Sequence, residues 1–152
     1  CFAHNGQMPD FAPELGMYQP VGDTDSEAAF CDILNRVRSA CTHECSVERL
    51  LPVIVAACEE YRAQGVFNCL LSNGDWLFSF CSTKLAHITR RAPFGPATLK
   101  DADMSVDFQS ETTPNDVVTV IATEPLTDNE LWTVYAPGEW RLWRGGEVVA
   151  QG

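Results

Sequence analysis

The chain has 152 residues, 45% hydrophobic and 20% charged, a size and balance that suit a single domain with its own apolar core and do not suit disorder. Its 10 Lys and Arg against 21 Asp and Glu give a formal charge of -11, which repels phosphate backbones and anionic lipid and excludes nucleic acid as the expected partner. No run approaches the roughly 18 consecutive apolar residues of a spanning helix, and the opening residues Cys1 to Gly6 show no charged stretch leading into an apolar one, so neither a membrane segment nor a targeting signal is expected.

In chain order, Cys1 to His4 reads as the end of a strand and Asn5-Gly6 as a turn dipeptide. Gln7 to Gly22 holds Pro9, Pro13 and Pro20 and is expected to be a loop. Thr24-Asp25-Ser26-Glu27 fits a capping box, with Thr24 accepting from the N–H three residues on and Glu27 reaching back. Ala29, Phe30, Ile33, Leu34 and Val37 follow at helical spacing. A polar break from Cys41 to Ser46 precedes a second amphipathic helix carrying Leu50, Leu51, Ile54, Val55, Cys58 and Tyr61, with Gly65 as its stop. Pro52 places the start of its regular part near Leu51 or Pro52, where proline is tolerated in the first turn.

From Val66 the period changes to two. Val66 to Leu71 and Trp76 to Ser82 are expected to form a hairpin around Asn73-Gly74. Further strands are expected at Ala86 to Arg90, Val106 to Gln109, Val117 to Thr123, and Trp140 to Trp143 paired with Glu147 to Ala150 across Gly145-Gly146. Arg91 to Asp103 and Pro125 to Glu130 read as loops within one domain spanning residues 1–152. Two helices followed by antiparallel strands define an α+β fold, with helices on one side of a sheet.

Seven cysteines cannot all pair within one chain, and four of them fall where apolar side chains belong. Buried, reduced thiols and a reducing cytoplasm are the expectation. Cys41, His43, Glu44 and Cys45 are clustered, but a structural metal site needs a second ligand pair and none stands elsewhere, so no metal is expected. No G-x-S-x-G and no glycine-rich phosphate loop is present, and nothing calls for a cofactor.

What remains is Ala3-His4-Asn5-Gly6 followed, after a proline-containing loop, by Asp23-Thr24-Asp25-Ser26-Glu27 and a helix. Downstream stand Gly65-Val66-Phe67-Asn68, Ile88-Thr89-Arg90-Arg91-Ala92-Pro93-Phe94-Gly95, Thr112-Thr113-Pro114-Asn115-Asp116-Val117-Val118 and Pro137-Gly138-Glu139-Trp140. In this order the motifs resemble the class II glutamine amidotransferases, closest to their small stand-alone subgroup. The resemblance covers nearly the whole chain.

The resemblance implies the four-layer αββα fold of the N-terminal-nucleophile hydrolases, incomplete here at its N-terminal side. It implies hydrolysis of the side-chain amide of glutamine, or of a γ-glutamyl compound, by an N-terminal cysteine thiol through a glutamyl thioester. Asn5 and Gly6 match the residues whose side-chain amide and N–H donate to the oxyanion, and Asp25 matches the acid that binds the substrate α-ammonium. Both have plainer readings, Asn5-Gly6 as a turn and Asp25 as a helix-terminal acid favoured by the dipole. His4 is expected to be structural. In the family the nucleophile lies well upstream of His-Asn-Gly. Cys1 stands only four residues before Asn5, about 13 Å away on an extended strand at roughly 3.3 Å per residue, so Cys1 is not expected to be the nucleophile, whose place is unknown. The expectation is a fragment without activity of its own. The alternatives are a non-catalytic module that binds glutamine or a γ-glutamyl compound, and a minimal hydrolase that uses Cys1.

Overall fold

The alternation that starts at Val66 builds the centre of the molecule, because it gives one strand two different faces. A computed structural model describes residues 1–41, 43, 45–94, 96–100, 105–107 and 113–152. The order is β1 (Phe2–Gln7), α1 (Asp25–Ala40), α2 (Val47–Arg62), β2 (Val66–Ser72), β3 (Leu77–Phe80), β4 (Ala86–Arg91), β5 (Pro96–Thr98), β6 (Ser105–Asp107), β7 (Val117–Ala122), β8 (Thr133–Val134), β9 (Trp140–Arg144) and β10 (Glu147–Gln151). The strands form antiparallel pairs in a five-stranded sheet ordered β1-β2-β3-β9-β10, a three-stranded sheet ordered β7-β4-β8, and a ribbon of β5 with β6. The architecture is mixed α and β with antiparallel sheets.

Along β2, Phe67, Cys69 and Leu71 face one way and meet Phe78, Phe80 and Leu142 of the neighbouring strands. Ile33 of α1 and Ile54, Ala57, Cys58 and Tyr61 of α2 cover that face. Phe67 is fully buried and sits in contact with the rings of Phe2, His4, Tyr61 and Phe80. The opposite face presents Leu77, Cys81 and Trp143, which pack with Leu85, Tyr135 and Ile121 of the second sheet and its connections. The described residues thus stack as a helix layer, a five-stranded sheet and a three-stranded sheet. The far side of that third layer carries Val118 and Val134, 43% and 66% exposed.

The hairpins form where local chemistry dictates them. Asn73 Oδ1 accepts the N–H groups of Asp75 and Trp76, and Gly74 takes φ +102 between the paired Ser72 and Leu77. Gly145 and Gly146, at φ +54 and +79, close the β9–β10 turn, whose twist requires positive φ at both positions.

Several expectations are corrected. Asn5 and Gly6 are not a turn: they pair with Asn68 and Phe67 inside β1, which continues to Gln7. β2 supplies a ladder that a turn would have left unsatisfied. α2 begins at Val47, so Pro52 lies inside it. An internal proline costs about 3 kcal/mol, but full burial of side chains such as Ile54 and Tyr61 contributes about 1.5–3 kcal/mol each, and burial wins. The helix ends at Arg62, ahead of Gly65. Gly65 serves a different purpose, since a Cβ there would lie 2.3 Å from Gln7 O and 2.9 Å from the Met8 Cα. The Arg91 to Asp103 loop contains β5, and β8 lies in a stretch with no strand signal. Of the expected strand Val106 to Gln109, residues 108 and 109 lie outside the described residues, as do 95 and 101–103 of that loop. Cys31, Cys58, Cys69 and Cys81 are buried free thiols and Cys1 is free and exposed, but Cys41 and Cys45 form a disulfide. The reduced reading fails for that pair, which the α1–α2 connection brings to a Cα separation of 6.2 Å. Among the described residues no helix is long and apolar enough to cross a membrane.

Candidate functional site

The start of α1 is laced to the segment that leaves β1. Thr24 Oγ1 accepts the Glu27 N–H at 3.2 Å, the forward half of a capping box. Glu27 reaches past Thr24 and accepts the N–H groups of Val21 and Gly22, each at 2.8 Å. Glu27 therefore folds the preceding loop onto the helix instead of closing the box. Asp25 Oδ2 accepts the Met8 N–H at 2.7 Å, which pins the end of β1 to the helix N-terminus.

Asp25 also lines an open cavity of about 410 Å³ together with Gln7, Met8, Phe11, Gly22 and Asp23. Among the described residues, two carboxylates and no basic side chain line it. Asp25 Oδ1 lies 3.4 Å from the Ser26 hydroxyl. Such a cavity suits a positively charged ligand group.

On β1, His4 is held at both nitrogens. Nε2 donates to the Val66 carbonyl at 3.1 Å, and Nδ1 shares a hydrogen bond with the Ser26 hydroxyl at 2.8 Å. The imidazole clamps β1 to α1 and to the start of β2.

Asn5 and Gly6 are arranged differently. Cys1 and Ser72 exchange both main-chain hydrogen bonds, at 2.5 and 2.9 Å. With the register unbroken from Phe2 to Gln7, the two-residue alternation of an antiparallel ladder makes Asn5–Asn68 a bonded pair and turns the Gly6 N–H away from β2. That side of β1 pairs with no strand among the described residues. A Cβ on Gly6 would lie 1.8 Å from Val66 O, so glycine alone fits this close crossing. The Asn5 side chain is exposed, has no hydrogen-bond partner among the described residues, and borders a cavity of about 170 Å³ with Ala3, Leu70, Leu85 and Ile121. Two donors, the Asn5 amide and the Gly6 N–H, are therefore unengaged among the described residues.

Asn5 and Asp25 line separate cavities, on either side of the end of β1, with Gly6 to Met8 between them. Cys1 lies toward the other end of the same uninterrupted strand, next to Ser72. Burial pushes the Cys58 and Cys81 thiols up, which keeps them protonated and poor nucleophiles. Among the described residues no three His, Cys, Asp or Glu side chains converge as metal ligands. Arg90 and Arg91 are each paired with a glutamate, Glu130 and Glu147.

Sequence reading left one residue without a role that the structure makes central. Asn68 is buried in β2, and its carboxamide joins Asn5 to the β3–β4 connection. The available signal was a lone Asn inside an apolar strand, where an unsatisfied amide would cost about 1–3 kcal/mol.

The chain belongs to the class II glutamine amidotransferases, whose family model matches residues 1–152. It is 51% identical over 150 residues to the Escherichia coli K12 protein named "Putative glutamine amidotransferase YafJ", covering 97% of this chain and 59% of that one. It is 37% identical over 153 residues to the Haemophilus influenzae protein named "Putative glutamine amidotransferase", covering 99% of this chain and 51% of that one. A crystal structure described as a predicted glutamine amidotransferase from Pseudomonas aeruginosa PA01 superposes with a TM-score of 0.90 at 71% identity, over 98% of this chain and 59% of that one. The chain thus spans 51% to 59% of the length of these relatives.

Proposed function

We propose that this chain supplies the oxyanion-binding and ammonium-binding parts of an enzyme that hydrolyses the side-chain amide of glutamine or of a related γ-glutamyl compound. Attack on the amide carbon by a thiolate turns its carbonyl oxygen into an oxyanion, which the Asn5 amide and the Gly6 N–H stabilise. Asp25 receives the substrate α-ammonium in the acidic cavity. The observation that carries this reading is the pair of donors at Asn5 and Gly6 that no described residue engages, on the strand whose far end, at Gln7 and Met8, lines the separate cavity that holds Asp25.

The thiol is none of the cysteines described here. Cys31, Cys58, Cys69 and Cys81 are buried, Cys41 and Cys45 are joined as a disulfide, and Cys1, just before β1 and paired with Ser72, stands roughly 13 Å from Asn5 at about 3.3 Å per residue, whereas the reacting oxygen must lie about 3 Å from its donors. The nucleophile accordingly belongs to residues outside this sequence, and the chain alone is inactive. The relatives' greater length leaves room for such a segment. The exposed Val118 and Val134 on the third layer support a further layer there, giving the four-layer αββα arrangement.

The test is alkylation of the complete gene product with a diazoketone analogue of glutamine, followed by peptide mass mapping. Label is expected on a cysteine outside residues 1–152; label on Cys1 overturns the assignment. In the same protein Asn5→Ala lowers kcat for glutamine hydrolysis by about 10²–10³. Glutamine binding by calorimetry without ammonia release from the complete gene product identifies a binding module instead.

A further inference from the structure

Asn68 is 3% exposed, and its carboxamide is fully engaged. Oδ1 accepts the main-chain N–H groups of Ser82, Thr83 and Lys84 at 2.9, 3.0 and 3.2 Å. Nδ2 donates to the Asn5 carbonyl and to Thr83 Oγ1, each at 3.0 Å. The three acceptor bonds anchor the connection between β3 and β4. The bond to Asn5 is of another kind, because it joins a side chain to the carbonyl of a strand residue that β2 already faces.

That carbonyl is one end of the Asn5–Gly6 peptide plane; the other end is the Gly6 N–H. The bond is trans, the sole cis bond found among the described residues being Ala92–Pro93, so oxygen and N–H point in opposite directions across a rigid plane. Gripping the oxygen from the β2 side therefore sets the direction of the N–H on the open side. Accepting a hydrogen bond also polarises the peptide and makes its N–H a better donor. Among the described residues β1 has a single strand neighbour, and a strand held by one ladder opens more readily than a central one.

We propose that Asn68 is a positioning residue, which aims the Gly6 N–H at the developing oxyanion by holding the far end of its peptide plane. This rests on the assignment of Asn5 and Gly6 as oxyanion donors. Asn68 does not touch substrate; it acts through Gly6.

Two substitutions separate this role from simple anchoring of the β3–β4 connection. Asn68→Asp keeps an oxygen for the three N–H groups but sets a second oxygen, not a donor, against the Asn5 carbonyl. Thr83→Val removes the other Nδ2 partner and leaves the bond to Asn5. In the complete gene product, Asn68→Asp lowers kcat for glutamine hydrolysis at least about tenfold with KM unchanged. Thr83→Val lowers the unfolding midpoint and leaves kcat within about twofold. In ¹⁵N-labelled protein, the Gly6 amide proton moves upfield in Asn68→Asp and stays in place in Thr83→Val. If Asn68→Asp does not fold, Asn68→Ser, which loses the Asn5 bond together with the three acceptor bonds, replaces it: the upfield shift of the Gly6 amide is still expected, and an unmoved Gly6 amide overturns the positioning role. Unchanged kcat and an unmoved Gly6 amide in a folded Asn68 variant, with Asn5→Ala still impaired, overturn the positioning role alone. An unimpaired Asn5→Ala overturns the oxyanion assignment itself.

Discussion

Asp25 carries two duties that a single substitution can separate. One oxygen holds the Met8 N–H at 2.7 Å, while the charge faces the acidic cavity. Asn at this position keeps an oxygen for Met8 and loses the charge. Asp25→Asn should therefore leave the fold intact and weaken substrate binding by about 10-fold to 100-fold, the value of a charge-assisted hydrogen bond; steady-state kinetics would show it as a raised KM. His4 is the converse case, a polar residue near the site whose bonds are all internal. Replacing it by Leu leaves the Val66 carbonyl and the Ser26 hydroxyl without their partner. A loss of about 1–3 kcal/mol is expected, seen as a lower urea midpoint with an unchanged slope.

At the level of elements, α2 holds its place through burial despite its proline. Pro52 is exposed on the helix surface and contributes nothing to the core. Pro52→Ala restores a main-chain hydrogen bond, a gain partly offset by the looser unfolded chain, so stabilisation by about 1–2 kcal/mol is expected in thermal melts. Gly65 sets the opposite constraint where α2 hands over to β2. A methyl group there meets main-chain atoms of Gln7 and Met8, so Gly65→Ala should displace the end of β1, lower the melting temperature and disturb Asp25 through Met8. The hairpins were legible in the sequence because their turns are local: Asn73 and Gly74 contain their own bonding chemistry, and so do Gly145 and Gly146. β1 was misread at Asn5-Gly6 because its pairing partners, Asn68 and Phe67, stand far along the chain. A dipeptide cannot announce such a partner.

For the molecule as a whole, the layered stacking makes acid the stress to apply. Between the sheets, His87 lies edge-on to Tyr135 and Trp143, and its Nδ1 has no partner. Burial, and then the Arg141 charge, hold its imidazole below the ordinary 6.5. The neutral form is the one the fold accepts, so its contribution is complete above pH 6.5 and declines as pH falls toward the lowered folded value. Arg90 holds the Glu130 carboxyl below the ordinary 4.5. That contribution is complete above pH 4.5 and disappears as pH falls through the folded value. Stability measured against pH should decline in two stages, with His87→Phe removing the upper one and Glu130→Gln the lower.

By itself the sequence determined the α+β order, the start of α1 at its Thr24 cap, both glycine-closed hairpins and the family to which the chain belongs, since each is written in neighbouring residues or in the order of short motifs. Only the tertiary structure decided which way Gly6 points, that Asp25 ties down Met8, that Glu27 reaches Val21 and Gly22, and that Asn68 holds the Asn5 peptide. The physical reason is common to all four. Hydrogen-bond direction depends on strand register and layer packing, which join residues distant in the chain, and no local pattern of side chains encodes it.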